Sequence, residues 1–236
     1  MKKKITLAIE TAIGNGGLSL FENKNLIDVR SGNEKISRSD RLLPFIREFL
    51  VENKIEKKDL SLIAVSLGPG NFTGARIGLA TAIGLKEGLS VPCAGISVFR
   101  AAALTESAKP SNGASMVALL SDGGKIIYAL CDKPGDFKND AIDFQSRSLD
   151  EFISELAANK RQTEILLENR LFELLKIELR TVAPHPLINS LIKFKEIENE
   201  LSTCVGKAVL DNHASDNLKV YYLNARQNFI KQPEND

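Results

Sequence analysis

The chain opens on an unbroken apolar run, Ile5-Thr6-Leu7-Ala8-Ile9, which predicts a strand buried on both faces. Glu10-Thr11-Ala12 leads into Gly14, Gly16 and Gly17, and Leu18-Ser19-Leu20-Phe21 predicts a second strand that forms a hairpin with the first. Asn23-Lys24-Asn25 reads as a turn and Leu26 to Arg30 as a third strand. From Ser39 the period changes. Leu42, Leu43, Ile46, Phe49 and Leu50 recur at helical spacing, with Asp40 near the N-terminus, where the macrodipole favours an acid. Lys54 to Asp59 reads as a charged linker before a short strand at Leu62 to Val65. A Gly68-Pro69-Gly70 turn then opens onto a helix from about Thr73 to Gly88, with Thr73 as its cap. A strand over Val91 to Ile96 and a helix from Ser97 to Ser107 follow. This β-β-β-α-β-α-β-α order predicts an α/β fold: a mixed sheet with crossover helices.

Lys109-Pro110-Ser111-Asn112-Gly113 is the clearest boundary signal, dividing the chain into residues 1–108 and 109–236. Beyond it, Met116 to Leu120 and Ile126 to Leu130 predict strands around an Asp122-Gly123-Gly124 turn. Leu149 to Ala158 and Asn169 to Leu175 have amphipathic helical patterns, and Val220-Tyr221-Tyr222-Leu223 is strand-like. Asn224 to Asp236 is polar and is expected to fray. The two halves show no repeat in sequence, although they are free to share a fold.

Composition narrows the function classes. The 236 residues carry 31 Lys and Arg against 30 Asp and Glu, so a grip on nucleic acid by charge alone is not expected. No apolar run approaches the length of a membrane span, and the basic start at Lys2-Lys3-Lys4 is too short for a targeting signal. Three cysteines, Cys93, Cys131 and Cys204, lack metal spacing and suggest reduced thiols in a cytoplasmic protein. The two histidines, His185 and His213, have no companion ligand at metal spacing, so no metal site is expected.

The candidate chemistry lies in two places. Glu10-Thr11 at the end of the first strand is where nucleotide-handling sheets place a metal-linked carboxylate and a phosphate donor, but such a pair is also an ordinary strand end. Asp122-Gly123-Gly124 is a second site of that kind, or a plain hairpin turn. The Gly68–Gly74 segment, through Gly70, Thr73 and Gly74, suggests a phosphate cradle at a helix N-terminus. It lacks a loop lysine, and Pro69 removes an N–H that a cradle would use, while Arg76 offers a substitute cation. The helix that follows carries Ala75, Gly78, Ala80, Ala82 and Gly84, a set of small residues that lets another element approach closely.

Leu7-Ala8-Ile9-Glu10-Thr11, Arg41-Leu42-Leu43-Pro44 and the block from Leu67 to Leu89, LGPGNFTGARIGLATAIGLKEGL, resemble the TsaB (YeaZ) family of tRNA N6-threonylcarbamoyladenosine biosynthesis. The resemblance runs from residue 5 to about 108, with Tyr221-Tyr222-Leu223 similar to the family's closing strand. Asn71 stands where that family usually has serine, and Ala75 where it has a larger apolar residue. It implies an actin-like or Hsp70-like (ribonuclease-H-like) fold of two subdomains. It also implies a non-catalytic scaffold that pairs with a catalytic TsaD-type subunit, joined by a TsaE-type ATPase, or with a second copy of itself. The helices at Ser39–Glu52 and Thr73–Gly88 would then form the interface, with Leu43, Ile46, Leu50, Arg76, Leu79 and Ile83 as its candidates. No cofactor is required on this reading. ATP or ADP would sit, if anywhere, at the interface of the complex, and tRNA would be met only through the complex. The alternative is a nucleotide-dependent kinase of the same fold, using Glu10 or Asp122 with magnesium. Glycoprotease activity, a third idea, has no ligand set or nucleophile motif behind it.

Overall fold

In the computed structural model, the described residues are 3–32, 40–105, 114–121, 123–131, 144–181, 191–197, 200–211 and 218. The proposed boundary at 108/109, Asp122, both histidines and Val220 to Asp236 lie outside them.

Two five-stranded sheets carry the molecule. The first consists of β1 (Ile5–Glu10), β2 (Gly17–Glu22), β3 (Asn25–Ser31), β4 (Leu60–Ser66) and β5 (Cys93–Ile96), in the order β3-β2-β1-β4-β5. The second consists of β6 (Ala114–Leu120), β7 (Ile126–Cys131), β8 (Phe144–Arg147), β9 (Thr163–Leu167) and β10 (Ile192–Glu196), in the order β10-β9-β6-β7-β8. The orders are equivalent. In each sheet three consecutive strands form an antiparallel meander, and two more add in parallel beside the first of them. The parallel additions need crossovers. The helices α1 (Leu42–Glu52) and α2 (Phe72–Leu89) supply them in the first lobe, and α4 (Leu149–Ala158) and α5 (Asn169–Thr181) in the second. A further helix follows each sheet, α3 (Val98–Thr105) after β5 and α6 (Leu201–Leu210) after β10. The halves therefore repeat in topology without repeating in sequence.

Strand alternation assigns the faces. Leu7 and Ile9 of β1 pack with Leu42, Ile46 and Phe49 of α1 and with Leu79 and Ala82 of α2 on the outer side of the first sheet. Met116 and Ala118 of β6 do the same with Phe152 and Leu156 of α4 and Leu171 and Leu175 of α5. Ala8, Ala64, Val117 and Leu119 point inward to a shared core with α3 and α6. α6 is drawn against the first sheet so closely that a Cβ on Gly206 would overlap the Phe21 ring and stand 3.0 Å from the Ala8 Cβ.

Local sequence explains the element ends. Asn71, not Thr73, caps α2: its Oδ1 accepts from the Gly74 N–H at 2.8 Å, and the helix starts at Phe72. α4 begins at a capping box in which Ser148 and Glu151 hold each other's backbone N–H groups. The charged linker contains a 3-10 turn, Lys57–Asp59, and Asp40 falls just before α1, whose first turn holds no acid. Four elements of the second lobe have no counterpart in the sequence reading: β8, β9, β10 and α6.

Candidate functional site

The turn after β1 is built around its own carboxylate. Glu10 is 2 % exposed, and its Oε1 accepts from the N–H groups of Ala12 at 2.6 Å and Ile13 at 3.0 Å. Two N–H groups that could have met a phosphate therefore already hold a negative charge. Thr11 donates its hydroxyl to the Gly74 carbonyl at 2.8 Å and lies under α2, where a Cβ on Gly78 would overlap Thr11 Oγ1. The Gly68–Pro69 peptide is cis, and the turn it belongs to presses on the same segment. Asn71 N–H donates to the Ala12 carbonyl at 2.6 Å, and a Cβ on Gly70 would fall inside contact distance of that carbonyl. Gly70 is glycine because two backbones meet there. Thr73 is exposed on the first turn of α2.

Glu10, Thr11, Gly70 and Gly74 thus converge, but on one another. The Ala12 and Ile13 N–H groups and the Thr11 hydroxyl, which a phosphate would use at this turn, are taken up by partners within the chain. The glycines and the threonine serve to dock the launch of α2 onto the end of β1.

The adjoining cleft between the lobes has a volume of about 280 Å³. It is lined by Gly14 and Asn15 of the β1–β2 turn, by Glu168, Asn169 and Arg170 at the start of α5, and by Glu200 and Ser202 at the start of α6. Glu10 and Glu196 also face it, so four carboxylates meet one cation, Arg170, among the described lining residues. That balance repels a polyphosphate. The carboxylates are spread around the wall: no group of three or more His, Cys, Asp or Glu stands close enough to hold a metal ion among the described residues. Ser202 Oγ is tied to Ser19 Oγ at 2.8 Å, and Ser19 also bonds Thr203 Oγ1 at 2.8 Å, so these hydroxyls knit α6 to β2.

The two crossover helices of the first lobe divide the predicted interface residues. Ile46, Leu50 and Leu79 are buried in the lobe's own core, because the stripe that generates helical periodicity is the stripe that covers the sheet. Leu43 is 52 % exposed and Ile83 37 %, joined by Val51 at 66 % and Phe72 at 50 %, which the sequence reading did not single out. Arg76 is exposed and lies over the Phe72 ring, 3.7 Å from its centroid. The small residues divide likewise. Ala75, Gly78 and Ala82 face inward, whereas Ala80, Gly84 and Gly88 face outward. The signal that could have separated them is the register of Gly74 and Gly78, four residues apart over Thr11.

No described helix is long and apolar enough to cross a membrane. Burial pushes the Cys93 thiol up to about 11, as expected of an inert core cysteine.

Two equivalent lobes about a cleft define a protein of the actin-like fold class. Residues 35–177 match the family model described as TsaD, tRNA N6-adenosine threonylcarbamoyltransferase. The match covers more than half of the sequence, and the chain belongs to this family, on its TsaB (YeaZ) side. The TsaB biosynthesis protein of Buchnera aphidicola subsp. Schizaphis graminum is 33% identical over 124 residues, 52% of this chain and 59% of the relative. The TsaB biosynthesis protein of Escherichia coli K12 is 30% identical over 125 residues, 52% of this chain and 53% of the relative. The chain spans about half the length of the curated relatives it matches. In fold it is similar to YeaZ from Pseudomonas aeruginosa, with a TM-score of 0.57 and 15% identity over 93% of this chain and 100% of that one. The ethanolamine utilization protein EutJ from Carboxydothermus hydrogenoformans shares the architecture at a TM-score of 0.51 and 13% identity, covering 88% of this chain and 89% of that one.

Proposed function

We propose that this chain is a non-catalytic subunit in the biosynthesis of N6-threonylcarbamoyladenosine on tRNA, acting as a scaffold for a TsaD-type catalytic subunit. Its relatives are named for that biosynthesis. The observation that carries the scaffold reading is the outer surface of α1 and α2. Leu43, Val51, Phe72 and Ile83 expose apolar side chains there, on the lobe whose candidate phosphate-binding groups are spent internally. The interface is therefore drawn from Leu43, Ile83 and Arg76 with Phe72 and Val51, while Ile46, Leu50 and Leu79 support it from beneath. A TsaE-type ATPase would join the pair, and alone the chain would use the same face for a second copy. The role calls for no cofactor of the chain's own, with ATP or ADP confined to the assembled complex. The balanced charge supports contact with tRNA through the complex, not by the chain alone. No observation favours the kinase reading.

The test is co-purification with a TsaD-type protein, with and without ATP or ADP. Wild type forms a complex; Leu43→Asp with Ile83→Asp loses it while keeping the wild-type melting temperature. Absence of any complex with the wild type under all three conditions overturns the proposal.

A further inference from the structure

The apolar core ties the two lobes together, and one side chain of the second lobe also packs against the first across the cleft. Arg170 is the second residue of α5, in the second lobe. Its Nε donates to Glu168 Oε1 at 2.7 Å and its Nη2 to the Leu120 carbonyl, at the end of β6, at 3.0 Å. Both anchors belong to the second lobe, and together they fix the guanidinium plane. That plane rests on the first lobe. A Cβ built on Gly14 would stand 3.0 Å from Arg170 Nη2, 3.1 Å from Cζ and 3.4 Å from Nη1. Near-equal distances to three atoms of a planar group mean that the guanidinium lies face-on to the Gly14 backbone. A flat, weakly hydrated cation suits such stacking, and a lysine ammonium does not.

The receiving surface is as fixed as the group laid on it. Gly14 has φ +60, in a turn closed by the Gly16 N–H on the Ile13 carbonyl at 3.1 Å. The Glu10 carboxylate holds the same turn from behind. The left-handed backbone favours glycine at 14, and a Cβ there would press on the guanidinium from 3.0–3.4 Å.

We propose that Arg170 is an interlobe latch. Anchored in the second lobe by Glu168 and Leu120, it bears on the Gly14 turn of the first and sets how far the acidic cleft stands open. The carboxylates around it supply the field that keeps a cation at this point. This inference is independent of the scaffold reading.

The test is an interlobe distance by electron–electron resonance on the full chain. Nitroxides are attached through ketone-bearing residues at Ser31, on the first-lobe side of the cleft, and at Ile177, exposed on α5. Arg170→Ala is expected to shift the distance distribution and broaden it. Gly14→Ala, whose Cβ presses on the guanidinium from 3.0–3.4 Å, is expected to do the same to a smaller extent, and Lys160→Ala, on the exposed α4–β9 turn, to leave it unchanged. A wild-type distribution in folded Arg170→Ala overturns the latch, and so does an equal shift in Lys160→Ala. If Arg170→Ala does not fold, Gly14→Ala decides alone: a shift supports the latch and a wild-type distribution refutes it.

Discussion

Gly78→Ala tests how α2 is seated. In an ordinary exposed helix position the change would stabilise by about 1 kcal/mol, because alanine is the better helix former. At position 78 the new Cβ would overlap Thr11 Oγ1, in a region where Thr11 is 2 % exposed and has no room to retreat. Either α2 lifts from β1 or Thr11 rotates away from the Gly74 carbonyl, to which it now donates at 2.8 Å. Overpacking costs about 1–3 kcal/mol, and a buried hydroxyl or carbonyl left unpaired costs a further 1–3 kcal/mol or so. Set against the propensity gain, the net loss is about 1–5 kcal/mol. Urea unfolding followed by circular dichroism reads it as a lower midpoint at unchanged m. Gly84→Ala is the internal control, since a Cβ there meets nothing within 4 Å, and it should raise the midpoint. The double variant Thr11→Ala with Gly78→Ala should be less unstable than the sum of its parts, because the overlap is removed. If Gly78→Ala stabilises as Gly84→Ala does, the account of Thr11, Gly74 and Gly78 as one packed contact is wrong.

Glu10→Ala leaves the Ala12 and Ile13 N–H groups without their acceptor, and should cost on the order of 2–4 kcal/mol in the same assay. A loss under 0.5 kcal/mol, roughly that of an ordinary surface change, would show that solvent replaces the carboxylate. Cys93 gives a pH dependence. Its thiol ionises near 9.0 when unfolded and at about 11 when folded, so the stability it confers is intact below pH 9.0 and declines as pH rises to about 11. Cys93→Ala should flatten that part of the stability–pH curve, and an unchanged slope would assign the decline to other groups. Ser148→Ala removes the hydroxyl half of the α4 capping box and should cost about 1 kcal/mol, with faster amide exchange in the first turn of α4. Unchanged exchange there would mean that Glu151 caps the helix alone.

Much of the first lobe was legible because its elements are long, periodic and punctuated. The five strands and α1 and α2 stand where apolar alternation, helical spacing and the Gly-Pro-Gly turn predict them, to within a few residues. The second lobe hid its elements for identifiable reasons. β10, Ile192–Glu196, alternates apolar residues with lysine and ends on an acid, a pattern shared by many exposed segments. α6, Leu201–Leu210, is buried almost all round, so it shows no polar face to mark its period. The cap of α2 is not legible in the sequence because Thr73 and Asn71 both suit one, and only the backbone angles choose Asn71.

The sequence by itself determined that α1 and α2 exist, that their residues are apolar or small, and that no lysine serves the turn between β4 and α2. The tertiary structure decided which side of each helix is spent on the core. Ile46, Leu50 and Leu79 go inward and Leu43 and Ile83 outward, since only the position of the sheet breaks the symmetry of an apolar helix. It also decided what the glycines are for. Gly70 and Gly78 look the same in the sequence as Gly84, yet two of them admit Ala12 and Thr11 from a strand end some sixty residues earlier, and the third faces outward. Such approaches depend on which segments the sheet brings together, and that is settled by long-range pairing and not by the local chain.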